Sequence, residues 1–271
     1  MTKVLFNGKV VKEESLKLDY NSDLAKFAPG FFETMKVYKG QILFWDSHYK
    51  RMKLGANFWK VKLPRKDKLE RQLQKLLSKN DLTHARLRIQ FNASLDNSTI
   101  EYFASAIPLQ ESEEYNWIEN GWQLGLYKEH YKSKDANGFK SNNRNIYLLA
   151  RKWAIGNSFD DALVMNTEKR ITDSTSCSLF WVKKGKIFSP PTKEGGVDGT
   201  FGKFLRSKQK DWNIKVTDKI CTVRTLIDAD EIFLTNVIRG FRWVKSFRGK
   251  EYNYTVSQQL YKHLKEWERT L

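Results

Sequence analysis

Residues 139–204 read FKSNNRNIYLLARKWAIGNSFDDALVMNTEKRITDSTSCSLFWVKKGKIFSPPTKEGGVDGTFGKF. Lys140 stands just before a stretch of helical periodicity. Asp173 lies in RITDSTSCSLF, between two strand-like segments. Gly195, Gly196, Gly199 and Gly202 form a turn that runs into another helix. An amine, a carboxylate and a glycine turn therefore follow one another along the chain. Helix starts expose unbonded N–H groups at the positive end of the helix dipole, and glycines let a phosphate approach the backbone. The turn is not a Walker loop, because no Gly-Lys-Ser/Thr follows. It is not a dinucleotide fingerprint either, because G-x-G-x-x-G is absent.

Each feature alone has a plainer reading. The chain carries 48 Lys and Arg, so a solvated side chain is the ordinary expectation for Lys140. A lysine that attacks an aldehyde must be neutral, which takes nearby positive charge or desolvation; a position where a loop becomes a packed helix suits that. Asp173 also reads as a turn aspartate accepting bonds from the amides after it. His48 and Arg51, one helical turn apart, either grip an anion or lie on the surface. Arg86 and Arg88 alternate in RLRIQF and so share one strand face. There they receive a substrate carboxylate or form a structural salt bridge.

Outward from this stretch the pattern is strand-rich. Residues 4–6 and 10–11 flank Asn7-Gly8, and 34–38 and 42–44 flank Lys39-Gly40, so both read as hairpins. Asp46 is expected to cap a helix towards Lys60, with Trp45, Tyr49 and Met52 on one face. Leu69, Leu73, Leu76 and Leu77 repeat at helical spacing, a core stripe. Strands are expected at 85–92, 100–108, 122–127, 162–165, 179–182, 186–188, 214–216 and 231–235. Helices are expected at 143–157, with Ile146, Leu149, Ala150, Trp153 and Ala154 inward, at 200–210, and at 254–268. The polar run QESEEYNWIEN is the best linker. The reading is α+β in two lobes: 1–110, a linker at 111–121, and 122–271.

Composition narrows the function classes. Hydrophobic residues are 40% and charged residues 29%, ordinary for a globular protein. The start MTKVLFNGKVVKEESL shows no apolar run of a signal peptide, and no stretch approaches membrane-spanning length. The two cysteines, Cys177 and Cys221, make no metal spacing or disulfide framework. A cytoplasmic location is expected. The four histidines lack metal spacing and no G-x-S-x-G elbow occurs, so metalloenzyme and serine hydrolase readings have no support. The net charge of +17 is spread along the chain without a zinc finger, RNP1 pattern or basic zipper. It suits a polyanionic small substrate better than nucleic acid.

Taken together, the motifs resemble the class IV aminotransferase family, the fold-type IV enzymes of pyridoxal phosphate (PLP). Gly30-Phe31-Phe32-Glu33-Thr34 is similar to the family's G-x-F-E-T, and His48-Tyr49-Lys50-Arg51-Met52 to H-x-x-R-L. Lys140-Ser141-Asn142-Asn143-Arg144 resembles K-x-L-N-R, and Ile171 to Phe180 resembles L-x-E-x-x-x-x-N-x-F. Ser189-Pro190-Pro191 looks like T-P-P. Gly196 to Phe201 is similar to the phosphate-binding helix start, and Asp228 to Asn236 to A-D-E-x-F-x-T-N. The resemblance covers nearly the whole chain, and the shared order of loose motifs gives it weight.

The resemblance implies a two-lobed fold like that of D-amino acid aminotransferases. The smaller N-terminal lobe is α/β; the larger C-terminal lobe is β-barrel-like with flanking helices. It implies PLP as cofactor, with Lys140 as the Schiff-base lysine and Asp173 as the partner of the ring nitrogen. Arg51, Gly199, Thr200, Phe201 and Asn236 fall at cofactor-binding positions. It implies an active site between the lobes, a homodimer, and no metal. Three positions depart from the family: Asp173 replaces Glu, Ser178 replaces Asn, and Gly202 replaces Arg. The compact length and Asn143-Arg144 lean towards the 4-amino-4-deoxychorismate lyases of folate synthesis. An aminotransferase for branched-chain or D-amino acids is the alternative, and a non-catalytic basic binding protein a distant one. The substrate is expected to be a small amino compound.

Overall fold

The structure is a computed structural model that describes residues 2–17, 19–96, 99–109, 114–135 and 138–271. The chain forms two compact units. One is Met1–Glu114 with Phe139–Asn143; the other is Tyr115–Gly138 with Arg144–Leu271. Residues 110–113, which include part of the expected linker, lie outside the described residues. The rest of that linker has aromatic anchors in the second unit. The Tyr115 hydroxyl donates to Val237 O at 2.9 Å, and Trp117 stacks on Trp243.

The first unit contains β1 (Lys3–Phe6), β2 (Lys9–Lys12), α1 (Asp23–Phe27), β3 (Gly30–Tyr38), β4 (Gln41–Ile42), α2 (Trp45–Phe58), α3 (Lys66–Lys79), β5 (Ala85–Ala93) and β6 (Ile100–Pro108). The strands form an antiparallel sheet in the order β2-β1-β6-β5-β3-β4. Asn7 and Gly8 both have positive φ, as the tight Asn-Gly hairpin requires. Phe31, Met35 and Val37 bury one face of β3, and Leu87, Ile89 and Phe91 the same face of β5. α2 packs on that face so closely that a Cβ on Gly55 would strike the Phe31 ring. The leucine stripe of α3 is buried as expected: Leu69, Leu73, Leu76 and Leu77. Asp46 does not cap α2. The N-cap is Phe44, and Asp46 pairs instead with Lys66.

The second unit contains β7 (Trp122–Leu126), α4 (Asn145–Gly156), β8 (Asp161–Met165), β9 (Ile171–Ser174), β10 (Ser178–Lys183), β11 (Lys186–Ser189), α5 (Thr200–Ser207), β12 (Val216–Asp218), α6 (Val223–Ile227), β13 (Glu231–Asn236), β14 (Gly240–Phe247), β15 (Lys250–Glu251) and α7 (Thr255–Arg269). Nine strands form a curled half-barrel sheet in the order β12-β11-β10-β13-β14-β7-β8-β9, with β15 on β14. Leu163, Leu179, Trp181, Ile232, Leu234 and Val244 fill its main core. The opposite face of the middle strands carries Phe180, Phe233 and Phe241, and the Phe201 ring of α5 meets Phe241 at 5.2 Å.

Two sequence expectations fail here for physical reasons. The central strand β14 was not foreseen because a charged residue, Arg242, interrupts its apolar run. Arg242 is buried nonetheless, because its guanidinium donates to the carbonyls of Asn116, Arg239 and Phe241. In α4, Ala150 and Ala154 are fully buried, but Leu149 is exposed, as are Leu148 and Ile155. Among the described residues, no helix is long and apolar enough to cross a membrane.

Candidate active site

Lys140 enters the first unit through the backbone. Ser141 bridges Phe31, Phe32 N donates to Lys140 O at 2.9 Å, and Asn142 N donates to Gly30 O at 3.0 Å. The segment thus lies as an added strand along the first residues of β3. This pairing places it with the first unit, although its sequence position falls in the stretch 122–271. Lys140 stands across from Phe32, so their side chains share a sheet face. Lys140 Nζ lies 5.5 Å from the centre of the Phe32 ring, and Arg88 Cζ lies 3.9 Å from it. On the same face Lys36 stands directly across from Arg86, and Thr34 from Arg88. Lys36 is fully buried, Arg88 half-buried and Arg86 exposed.

The other face of β3 carries a second charged group. Glu33 accepts Arg51 Nε at 2.6 Å on one oxygen and Arg51 Nη2 at 2.7 Å on the other; His48 Nδ1 donates to it at 2.8 Å. All three are buried. Burial alone would push the Glu33 carboxyl up, but the Arg51 guanidinium and His48 hold it far below the usual carboxylate range. Burial pushes His48 below its ordinary value against the pull of Glu33, so the ring is neutral near pH 7. His48 and Arg51 thus come together as expected from their helical spacing, yet they lie in the core and not on the surface.

In the second unit Asp173 is part of β9, not of a turn. It is 4% exposed. Thr172 Oγ1 donates to Oδ1 at 2.7 Å, and the Tyr147 hydroxyl to Oδ2 at 2.8 Å. Lys132 Nζ lies 3.2 and 3.3 Å from the two oxygens. The Val197 amide donates to Oδ2 at 3.2 Å. That last bond ties the carboxylate to the glycine turn. The turn is braced by Glu194, which accepts from Arg170 and Asn166.

The turn ends at Gly199, the N-cap of α5, which offers no side chain to the first amides of the helix. The first-turn amides, those of Thr200, Phe201 and Gly202, have no carbonyl to bond within the helix. A Cβ on Gly199 would strike Ser178 Oγ, so the backbone here lies tight against β10. A Cβ on Gly202 would meet the Phe180 ring at 3.3 Å, which explains a glycine where α5 rests on the sheet. Ser178 pairs directly with Thr235 on β13, so their side chains share the face beneath α5. The Thr235 hydroxyl is buried and has no hydrogen-bond partner among the described residues. Asn236 is differently placed: its amide donates to Ser176 O at 2.7 Å and accepts from Ile238 N at 2.8 Å.

These residues fit PLP. A buried hydroxyl awaits an acceptor beside a side-chain-free helix start, as a phosphate requires. A buried carboxylate tied to the same turn suits a ring nitrogen. Sequence reasoning missed Thr235, Lys132 and Tyr147. Thr235 stood beside the chosen Asn236, and strand alternation could have selected it. Lys132 is one lysine among many and carried no signal. Among the described residues, no cluster of His, Cys, Asp and Glu could hold a metal ion.

Comparison with known proteins bears on the family and the fold. The sequence model of the family described as amino-transferase class IV matches residues 30–247. Aminodeoxychorismate lyase of Vibrio harveyi is 25% identical over 237 residues, covering 83% of this chain and 86% of that protein. D-alanine aminotransferase of Staphylococcus aureus (strain N315) is 24% identical over 246 residues, covering 87% and 86%. Branched-chain aminotransferase from Thermoproteus uzoniensis, solved with norvaline, shares the fold. Its TM-score is 0.88 at 17% identity, covering 97% of this chain and 93% of that one.

Proposed function

The chain belongs to the class IV amino-transferase family and is a PLP-dependent enzyme, and from that premise we propose that it is a 4-amino-4-deoxychorismate lyase. The observation that supports this choice is the cationic face of the first unit. Lys36 and Arg86 stand directly opposite on neighbouring strands, with Arg88 beside them and Lys140 on the same face. Like charges so placed repel one another, and bound anion offsets that cost. Aminodeoxychorismate carries two carboxylates, whereas alanine and the branched-chain amino acids carry one. Arg86 and Arg88 are the proposed substrate-carboxylate residues.

PLP, when bound, supplies a sink for the electrons left on the substrate carbon. Lys140 Nζ is proposed to hold the cofactor aldehyde and then to take the proton from the carbon bearing the substrate nitrogen. Asp173 holds the proton of the ring nitrogen. Gly199, Thr200 and Phe201 offer the backbone of the α5 start to the phosphate, and Thr235 adds its hydroxyl. Arg51, aimed by Glu33, is the proposed phosphate arginine. Asn236 acts by fixing the Ser176 loop to the end of β13. Loss of pyruvate leaves an aromatic ring, so no second substrate is required. A cytoplasmic homodimer goes with this reading.

The test is incubation of the holoenzyme with aminodeoxychorismate, scored for 4-aminobenzoate and pyruvate. Both products in equal amounts support the lyase. Transfer of an amino group from a branched-chain or D-amino acid to a 2-oxo acid, without 4-aminobenzoate, would establish the aminotransferase instead.

A further inference from the structure

Asp173 is one methylene shorter than the family's usual glutamate, and its surroundings show how this chain handles that difference. Side chains from three separate pieces of the second unit converge on its carboxylate, beside the Val197 amide of the glycine turn. Lys132 comes from the segment after β7, fixed by its amide bond to Met165 O at 2.9 Å. Tyr147 comes from the first half of α4, and Thr172 from β9 itself. The Lys132 amine lies within hydrogen-bond reach of both carboxylate oxygens and also donates to the Tyr147 hydroxyl. It lies 4.5 Å from the centre of the Tyr147 ring. Arg144 Cζ is 5.5 Å from the same ring. Burial first, and then the charge of Asp173, hold the Tyr147 phenol well above its ordinary value, so it stays a donor.

A carboxylate this buried is costly to keep charged without a cation beside it. Lys132 is that cation and is itself only 8% exposed. A proton shared between a carboxylate and a ring nitrogen has two resting places. A cation in contact with the carboxylate stabilises the carboxylate anion more than it destabilises a more distant ring cation. It therefore favours the proton on nitrogen. We propose that Lys132 is a positioning residue that, together with Tyr147, holds and aims the Asp173 carboxylate, so that the shared proton stays on the cofactor's ring nitrogen. The proposal rests on the ring-nitrogen role of Asp173 given above. The change is one proton transfer: an N–H bond at the ring stands in place of an O–H bond at the carboxylate, and no other bond is altered.

The measurement is the 15N chemical shift of the ring nitrogen in holoenzyme loaded with ring-labelled PLP at neutral pH. The native protein is expected in the protonated pyridinium range. Lys132→Met should shift the partition of the proton towards the carboxylate by about tenfold or more, moving the signal measurably towards neutral pyridine. Lys132→Gln, which keeps a donor without charge, should behave like Lys132→Met, and Lys132→Arg should restore the native shift. Retained visible absorbance in each variant reports that PLP is still bound. A native shift in Lys132→Met or Lys132→Gln, with Asp173→Asn displaced, overturns the role of Lys132 alone. A native shift in Asp173→Asn overturns the Asp173 assignment and this inference with it.

Discussion

Glu33 shows how much a single side chain carries in this protein. It balances a buried arginine and a buried histidine from α2, and removing its charge leaves Arg51 uncompensated. Glu33→Gln should cost about 3–5 kcal/mol in a denaturant titration at pH 7. The pH dependence follows from the depressed carboxyl. In the folded protein Glu33 titrates far below its unfolded value of 4.5. Its contribution is therefore complete above that value and is lost as pH falls below it. The native protein should lose stability on acidification below about pH 4.5 more steeply than Glu33→Gln does. Thr235 offers the opposite case. Its buried hydroxyl has no partner among the described residues, so Thr235→Val should leave the urea midpoint unchanged or raise it. If that hydroxyl serves the phosphate, PLP affinity should drop about tenfold in a spectral titration. Unchanged affinity would remove Thr235 from the site. The partners of Glu33 were not legible in the sequence, whereas strand alternation could have selected Thr235. Glu33 appeared only as a letter of a motif, because its partners sit on another element, 15 and 18 residues away.

Elements were read best where one face is buried and the other wet. The α3 stripe and the alternation along β5 follow the two periodicities closely. Reading failed where a charge is buried, as at Arg242 in β14, and where an apolar face stays uncovered, as at Leu148, Leu149 and Ile155 of α4. The start of α5 was legible as a glycine turn entering a helix, but its closeness to β10 was not. Gly199 has an ordinary helical-compatible φ of −62°, so an added methyl is not strained by the backbone. The cost arises only from the contact with Ser178 Oγ. Gly199→Ala should weaken PLP binding about tenfold, the worth of one bond to a charged group. Ser178→Ala in the same protein should restore much of it. No recovery in the double variant would show that the turn fails for another reason.

At the scale of the whole molecule, the order of motifs carried the family, because a shared order survives when single motifs drift. The sequence could not show that the Lys140 segment pairs with β3 and joins the first unit, since backbone pairing across that distance has no local signature. The exposed apolar side chains of α4 suit contact with a second copy of the chain. Light scattering should then report twice the chain mass of 31.9 kDa; the single mass would refute the homodimer. The account as a whole turns on which amine takes the cofactor, and several buried or half-buried lysines, Lys36, Lys132 and Lys140 among them, are in contention by chemistry alone. Borohydride reduction of the holoenzyme, followed by proteolysis and mass spectrometry, fixes the cofactor to its lysine. The pyridoxyl group should be found on Lys140, and Lys140→Ala should lose both the adduct and the visible band. An adduct on Lys132, or a band that survives in Lys140→Ala, would contradict the account.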